Sequence, residues 1–425
     1  MNIDNNKNTM PTPSWQVSAF YMSSMMAYIV NTMFSYSLVI YTRHITESDS
    51  LTGLVFLMLF GPFAIFSLVG GITADRYSRK GIILIASAMA AVFVGIMALV
   101  IDRGFVTPSN FWLLGVFAVG FGIIVPFMAT ARIAMVGNIL TPQRLGSGTI
   151  IMSIMAVVGY GLGPLVAGLI KDSFSWSWLF GFNALGWVIS GLGFLLVTRM
   201  HPQQKSVEAS HFDDFKEGLS YIYNHKLLLQ ICVFMMVMAT FVLGPYQTVM
   251  PEFLKQTFEL GEKQRGAFMA IFGAGLLLGG IGSTGLRTHA KRGLILIVCT
   301  LFVGATLALV SVSSAYYPSM TFLFVSGCLG GVCNGLVSAI MQEESPDRVR
   351  GRVMSMYTFI IIGVPAMGGL LFSVLAEVTS LSQSIIYAGV SGVIFSMVFG
   401  KMSKQLRVST LPQMPSSIAS DAIRS

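Results

Sequence analysis

Long apolar runs alternate with short polar segments along the whole chain. A helix that crosses a membrane needs about 20 mainly apolar residues, and we recognise twelve runs of about that length or longer. The pattern therefore predicts an all-α membrane protein with twelve transmembrane helices. The predicted spans are 15–41, 51–73, 81–101, 110–138, 146–170, 178–199, 227–249, 264–286, 293–313, 319–342, 351–376 and 384–402.

The most polar stretch inside the chain, 200–226, separates the sixth span from the seventh. It carries Phe212, Phe215, Leu219 and Ile222 at helical spacing, which predicts an amphipathic helix on the membrane surface between two bundles. The predicted organisation is a cytoplasmic tail, a six-helix bundle, this linker, a second six-helix bundle and a second cytoplasmic tail. Their ranges are 1–14, 15–199, 200–226, 227–403 and 404–425.

Composition excludes several classes of protein. Charged residues make up 10% of the chain and hydrophobic residues 54%, whereas soluble domains carry about 25% charged residues. A soluble enzyme, a disordered scaffold and a secreted disulfide-rich module are therefore excluded. The four cysteines lie in apolar runs without metal-ligand spacing, and the five histidines lie in predicted loops. We therefore expect no metal, no cofactor and no enzymatic site at membrane depth.

The net charge of +8 comes from dispersed residues rather than from a block that would bind nucleic acid. With the N-terminus inside, nineteen of the 26 Lys and Arg residues fall on the cytoplasmic side, and Arg132 lies within a span. This bias predicts a multi-pass protein of the bacterial inner membrane with both termini cytoplasmic. No cleavable signal peptide is apparent. The six outer residues are Arg43, Arg103, Lys171, Lys255, Lys263 and Arg265.

The two halves repeat each other in the same orientation. The segment TPQRL at 141–145 matches SPDRV at 345–349, and KGIIL at 80–84 matches RGLIL at 292–296. Both matches fall in cytoplasmic loops at corresponding positions. Parallel six-helix repeats are typical of transporters that rock about a site near the middle of the membrane.

The loop after the second span reads GITADRYSRK over 71–80. It resembles the cytoplasmic loop motif of the major facilitator superfamily, with Ser78 where that family usually has glycine. The resemblance implies that Asp75 caps the start of helix 11, near Gly351, and latches the halves together on the cytoplasmic side. Positive-inside topology alone would explain Arg79 and Lys80, but not Asp75. The implied gating set is Gly71, Asp75, Arg76, Arg79, Lys80, Arg348, Gly351 and Arg352.

Helix 5 contains the segment GYGLGPLVAG over 159–168. It is similar to the antiporter motif of exporters in that superfamily, with Ala167 replacing one glycine. Gly159, Gly163 and Gly168 leave room for a partner helix, and Pro164 kinks the helix. Glycine-rich membrane helices are common, so the motif favours export over uptake without fixing it.

Two further segments, 342–356 and 217–222, resemble the drug/proton antiporter branch that includes macrolide-efflux and enterobactin-type exporters. The resemblance implies efflux and leaves the cargo open.

An ionisable residue inside a span is a functional candidate by default. Arg132 is the one such residue, either as a substrate contact or as a residue that snorkels or braces a gate. Glu252, at the outer end of helix 7, is a possible proton site or an ordinary loop carboxylate.

Polar residues on helix 1 recur every three or four positions, which predicts a cavity-facing stripe or a set of helix–helix hydrogen bonds. By resemblance, helices 1, 4, 7 and 10 line the cavity. The substrate-binding candidates are therefore Tyr21, Ser24, Tyr28, Asn31, Arg132, Tyr246, Gln247 and Asn334, with Ser35 continuing the stripe.

These features predict a secondary active transporter, and not an enzyme, that acts as a monomer in the lipid bilayer. We expect proton-coupled efflux of an amphipathic small molecule, such as a drug, a siderophore or another secreted metabolite, by alternating access. A buried carboxylate for a lipophilic cation is not visible. The alternatives are a lipid or lysolipid flippase of the same fold and, from other classes, a membrane receptor or enzyme.

Overall fold

The computed structural model describes residues 12–141, 144–198, 211–286, 289, 291–313 and 315–407. Within them, the side chains of Leu68, 211–216, Asp347, Arg348, Lys404 and Arg407 are not described. Six long helices form the first bundle, and a seventh lies in the linker. They are α1 (Ser14–Thr46), α2 (Asp49–Arg76), α3 (Arg79–Asp102), α4 (Trp112–Ile139), α5 (Leu145–Ser173), α6 (Trp176–Leu195) and α7 (His211–Asn224).

The seventh span is divided into α8 (Lys226–Met238), a π-helical segment (Ala239–Leu243) and α9 (Gly244–Thr248). The rest of the second bundle follows with α10 (Met250–Phe258), α11 (Glu262–Gly282), α12 (Arg292–Val312), α13 (Tyr316–Glu343), α14 (Asp347–Val378), α15 (Leu381–Met402) and α16 (Lys404–Arg407).

Eleven of the described helical segments are long and apolar enough to cross a membrane. The remaining long helix of the bundles is α1, which has 33 residues and carries the polar stripe noted above. The predicted fold class, twelve helices in two six-helix bundles, is confirmed. Ser78 begins α3 by accepting a hydrogen bond from the Gly81 amide at 3.3 Å, so the residue that departs from the family's loop motif is a helix N-cap.

The bundles meet through the outer halves of four helices. We call the end at which α1 begins the inner end, which the charge pattern predicts to be cytoplasmic, and the opposite end the outer end. A β-carbon on Gly273 of α11 would lie 2.5 Å from Cα of Gly161 on α5, and one on Gly53 of α2 would lie 2.9 Å from Cα of Leu370 on α14. Such backbone proximity closes the outer end.

An apolar cluster seals the same outer interface. Met33, Tyr36 and Ile40 of α1 pack with Tyr246 and Phe253 of the second bundle. Burial of aromatic and aliphatic side chains here excludes water from the outer half of the interface. The interface between the two bundles is therefore closed at the outer end.

The linker helix α7 packs against the second bundle. Ile222 is buried in its core, and the Tyr221 hydroxyl donates a hydrogen bond to the Glu344 carbonyl at 3.3 Å. Burial, and then the negative charge of Glu344, raise the pKa of Tyr221. Leu219 is exposed, while the side chains of Phe212 and Phe215 lie outside the described residues.

The short helix α16 packs against the second bundle at its inner end. Leu406 of α16 is buried, and its backbone lies against Gly293 at the start of α12. Leu406 therefore packs at the inner end of the second bundle, within the range 404–425 that was predicted to be a cytoplasmic tail.

Candidate substrate cavity and gates

A cavity of about 320 Å³ lies in the second bundle and extends to α5. Its walls come from α5, α8, the π-helical segment and helices α11 to α14, with Phe234, Met238 and Phe272 among the side chains. None of the described residues that line it is charged. Flexible methionine and flat aromatic side chains give a surface that adapts to apolar ligands, and the volume suits a small organic molecule.

The polar side chains that line this apolar cavity include those of Ser326, Asn334 and Tyr357. The Tyr357 hydroxyl donates a hydrogen bond to Oδ1 of Asn334. The Ser326 hydroxyl is fully buried and has no hydrogen-bond partner in the described part of the chain. A buried polar group without a partner is costly, so a ligand that hydrogen-bonds to Ser326 would recover free energy on binding.

Of the predicted substrate contacts, Asn334 alone lines this larger cavity. Ser326 and Tyr357 were not predicted, although Ser326, Gly330 and Asn334 stand four residues apart on α13 and share one face. The same three- or four-residue spacing that identified the polar stripe on α1 would have identified this second stripe on α13, the tenth predicted span.

A smaller cavity of about 30 Å³ lies between the bundles, nearer the outer end. Ser35, Tyr246 and Gln247 line it, and the Tyr246 hydroxyl donates to the Met269 carbonyl at 2.8 Å. This space holds about one water molecule, so Tyr246 and Gln247 do not contact the larger cavity in this conformation.

Three of the four remaining stripe residues on helix 1 pack or hydrogen-bond inside the first bundle. Tyr21 and Tyr28 pack against its hydrophobic core, Ser24 is buried and Asn31 is half-buried. None of these four lines either cavity. For Ser24, the helix–helix hydrogen-bonding alternative describes the structure, because it accepts a bond from Arg132 at 3.2 Å.

Arg132 lies in the interior of the first bundle, with 2% of its surface exposed. Its guanidinium donates to the hydroxyls of Ser23 at 3.0 Å, Ser24 at 3.2 Å and Ser190 at 2.7 Å. The Phe194 ring lies 5.5 Å from its central carbon. Arg132 lines neither cavity in this conformation, and its burial does not match snorkelling. Serine hydroxyls accept hydrogen bonds from both terminal nitrogens, whereas Nε has no hydrogen-bond partner in the described part of the chain.

Residues of the predicted inner gate bind mostly within their own bundle. The Arg79 guanidinium donates to the Ala134 carbonyl at 2.8 Å and to Asn138 Oδ1 at 2.6 Å, and it pairs with Asp75 at 3.4 Å. Lys80 donates to the Val197 carbonyl at 2.7 Å. These contacts tie the start of α3 to the ends of α4 and α6.

The inner end of the second bundle is held by comparable contacts. Buried Arg292, at the start of α12, pairs with Glu343 of α13 at 2.5 Å, so this pair joins α12 to α13 as the Arg79–Asn138 contact joins α3 to α4. Arg352 pairs with Glu217 of α7. The Arg348 side chain and Arg287 lie outside the described part of the chain.

At the inner end of α2 and α14, the gate residues are more open. Arg76 is exposed and Asp75 is half-buried, while a β-carbon on Gly71 or on Gly351 would have no other atom within 4 Å. The inner ends are therefore less tightly packed here than the outer ends.

The glycines of the helix 5 motif serve two neighbours. Gly159 and Gly163 lie against Tyr28 and Thr32 of α1 in the same bundle, while Gly168 lies against the backbone of Glu262 on α11. The carbonyl of Pro164 lies against Gly266 of α11. Helix α5 is therefore packed between its own bundle and the opposite one.

Glu252 is buried in α10 at the outer end of the second bundle. It accepts a hydrogen bond from the Gln256 amide at 3.0 Å and lies 3.8 Å from the Lys255 ammonium. It lines neither cavity, so a role in proton transfer would be exercised at the outer gate.

Known proteins share the sequence and the fold. A family model described as Major Facilitator Superfamily matches residues 20–370. The enterobactin exporter EntS of Shigella flexneri is 24% identical over 366 residues, which cover 84% of this chain and 85% of that protein.

Two solved structures are similar in fold. A bacterial homologue of the human lysosomal transporter Spinster, in an inward-facing and unoccupied conformation, has a TM-score of 0.72 at 13% identity and covers 95% of this chain and 99% of its own. The nucleoside transporter NupG has a TM-score of 0.71 at 15% identity, with coverage of 92% and 100%.

Proposed function

The chain belongs to the Major Facilitator Superfamily, and we propose that it exports an uncharged, amphipathic small molecule by alternating access. It is a multi-pass membrane transporter rather than an enzyme. The cavity of the second bundle carries the proposal, because its walls are apolar and aromatic and its polar groups are neutral hydroxyl and amide groups. The similarity to proteins named enterobactin exporters makes a siderophore one candidate cargo.

In the proposed cycle, cargo enters the cavity from the cytoplasm while the outer end is closed. The outer contacts then separate, the inner ends of α2 and α14 close through Asp75, and cargo leaves on the other side. An anion at a helix N-terminus is stabilised by about 0.3–1 kcal/mol, and by more when it is partly buried. Asp75 is the proposed inner latch in the outward-facing state.

The test compares compounds secreted by a deletion strain complemented with wild type, Asp75→Asn or an empty vector. We expect at least one secreted compound to be lost with the empty vector and with Asp75→Asn, while Asp75→Asn still inserts and folds. Unchanged export by Asp75→Asn would refute the latch. Identical secretion by all three strains would refute export of a metabolite.

The cavity is tested with the compound so identified, in reconstituted vesicles. Ser326→Ala and Asn334→Leu should each raise its KM about 5- to 10-fold, because each removes one hydrogen bond of about 1–1.5 kcal/mol. Ser338→Ala is a matched control on the same helix, since Ser338 does not line the cavity. Equal effects of all three substitutions would place the binding site elsewhere.

We infer that a proton gradient drives export and that Glu252 is the candidate coupling group. Glu252 lies at the closed outer end, and this position supports the inference because opening of that end would expose its carboxylate to protons. Glu252→Gln should allow downhill transport but abolish uphill export in vesicles with an imposed pH gradient. Glu259→Gln, which changes an exposed acid of the same outer segment, should keep both. Uphill export by Glu252→Gln would exclude this assignment.

The apolar walls of the cavity also favour a second candidate, a lipid or lysolipid flippase. Vesicles that contain a fluorescent lysolipid separate the two functions. Lysolipid translocation that is lost in Asn334→Leu, without transport of a soluble compound, would support the flippase.

A further inference from the structure

The two bundles are joined at the outer end by one carboxylate that the sequence patterns did not single out. Glu377, in the last turn of α14, places Oε2 at the start of α2. It accepts hydrogen bonds from the backbone amides of Asp49 at 2.5 Å and Ser50 at 3.1 Å, and from the Ser48 hydroxyl at 3.1 Å. An acid of the second bundle thus caps a helix of the first.

This contact completes the start of α2. The first amides of a helix have no partner within it. In α2, the Leu51 amide donates to the Ser48 hydroxyl at 3.2 Å. The amides of Asp49 and Ser50 donate instead to the carboxylate of Glu377. Separating the outer ends would return the amides of Asp49 and Ser50 to water. The two hydrogen bonds to Glu377 therefore exist only while the outer end is closed.

Arg43 offsets the repulsion that this arrangement would otherwise produce. Asp49 brings a second carboxylate beside Glu377, and Nε of Arg43 lies 2.8 Å from Oδ1 of Asp49. Arg43 is on α1 and Asp49 on α2, so the ion pair holds the two helices of the first bundle together under the cap. Glu252 is the other acid whose charge acts on Asp49.

We propose that Glu377 is the outer latch of the transporter, a positioning residue that stabilises the closed outer end and must release α2 before cargo leaves. Helices α2 and α14 run antiparallel, and each carries a carboxylate in its last turn. Glu377 caps the start of α2, and Asp75 is the residue proposed above to cap the start of α14. The inference rests on the proposed alternating access.

The latch is exposed, so its contribution is moderate and depends on salt. Loss of a helix cap typically changes a conformational equilibrium about 5- to 30-fold. Glu377→Ala should therefore raise the ratio of open to closed outer ends about 5- to 30-fold. Glu377→Gln keeps a hydrogen-bond acceptor but loses the charge, and we expect an effect between those of wild type and Glu377→Ala.

Distances between spin labels measure this ratio without any cargo. One label pair, Ser109→Cys and Tyr317→Cys, reports the outer ends, since both positions are exposed at the outer end and belong to different bundles. A second pair, Ser147→Cys and Ser355→Cys, reports the inner ends. The four native cysteines are replaced by alanine in the full-length protein, which is studied in lipid nanodiscs.

Glu47→Gln is the matched control, because it removes an exposed charge two residues before Asp49 without touching the cap. We expect longer outer distances for Glu377→Ala, partial restoration for Glu377→Asp, and no change for Glu47→Gln. Raising salt from about 0.05 to about 0.5 M should lengthen the outer distances of wild type but not those of Glu377→Ala.

Three outcomes would overturn the latch or its premise. If Glu377→Ala leaves the outer distances unchanged while Asp75→Asn shifts them, the latch is wrong and alternating access stands. If Glu47→Gln shifts them as much as Glu377→Gln, general surface charge replaces the specific cap. If no variant and no cargo moves either label pair, the proposed alternating access itself fails.

Discussion

Adding one methyl group at Gly168 should open the outer end of the transporter. Gly168 of α5 lies against the backbone of α11, and a β-carbon there would clash with the Glu262 carbonyl and lie 3.2 Å from Cα of Gly266. Both neighbours are backbone atoms that cannot rotate away. The contact joins different bundles, so the strain of Gly168→Ala is relieved if the bundles separate.

The magnitude follows from the cost of overpacking. Inserting a methyl group into a well-packed site costs about 1–3 kcal/mol. If opening of the outer end relieves that strain, the ratio of open to closed protein rises about 5- to 150-fold. The outer spin-label pair at Ser109 and Tyr317 would then report a population at longer distance.

Gly163→Ala is a matched control on the same helix. A β-carbon there would lie 2.6 Å from the Met33 amide nitrogen, but α1 and α5 belong to the same bundle. Opening cannot relieve this strain, so thermal stability should fall without longer outer distances. Gly146→Ala, where a β-carbon meets nothing within 4 Å, should change neither. If Gly168→Ala lowers stability without opening, the outer contacts are not a gate.

Three further predictions concern buried groups. Arg132→Met should keep the melting temperature within a few degrees of wild type, because a residue of similar volume removes a desolvated charge. Arg132→Lys should lower the melting temperature more, since a single ammonium cannot reproduce the hydrogen bonds of the guanidinium. Glu343→Gln should destabilise the protein by about 1–3 kcal/mol by weakening the partner of buried Arg292, as measured by thermal unfolding, while the exposed Gln342→Glu should not. Tyr357→Phe should weaken cargo binding, measured by isothermal titration, without lowering stability; unchanged affinity would remove Tyr357 from the site.

Much of the fold could be predicted because insertion into a membrane constrains the sequence of every span. Each span must be apolar for about 20 residues, so span number, the linker helix and the internal repeat are visible in the sequence. Helix ends were less predictable. The helix α14 begins at Asp347 and ends at Val378, beyond the predicted 351–376, because terminal turns tolerate polar residues that the apolar pattern excludes.

The site was harder to predict, because periodicity tells which residues share a face but not which neighbour that face meets. The stripe on helix 1 was found, yet Ser24 faces Arg132 within the bundle. Asn334 was placed by resemblance and lines the cavity. Glu377 could not be found, since a carboxylate at a helix end looks like any loop acid until the opposite helix is in place.

The two halves share an internal repeat, but the larger cavity lies mostly in the second half. The interior of the first half is closed around Arg132 and its serines, whereas the second half and α5 enclose the larger cavity. If that cavity holds the cargo, as proposed, selectivity should be transferable between relatives by exchanging the second half together with the α5 residues that line the cavity. Most of the first half would then supply motion and gating, while the second half determines which molecule is carried.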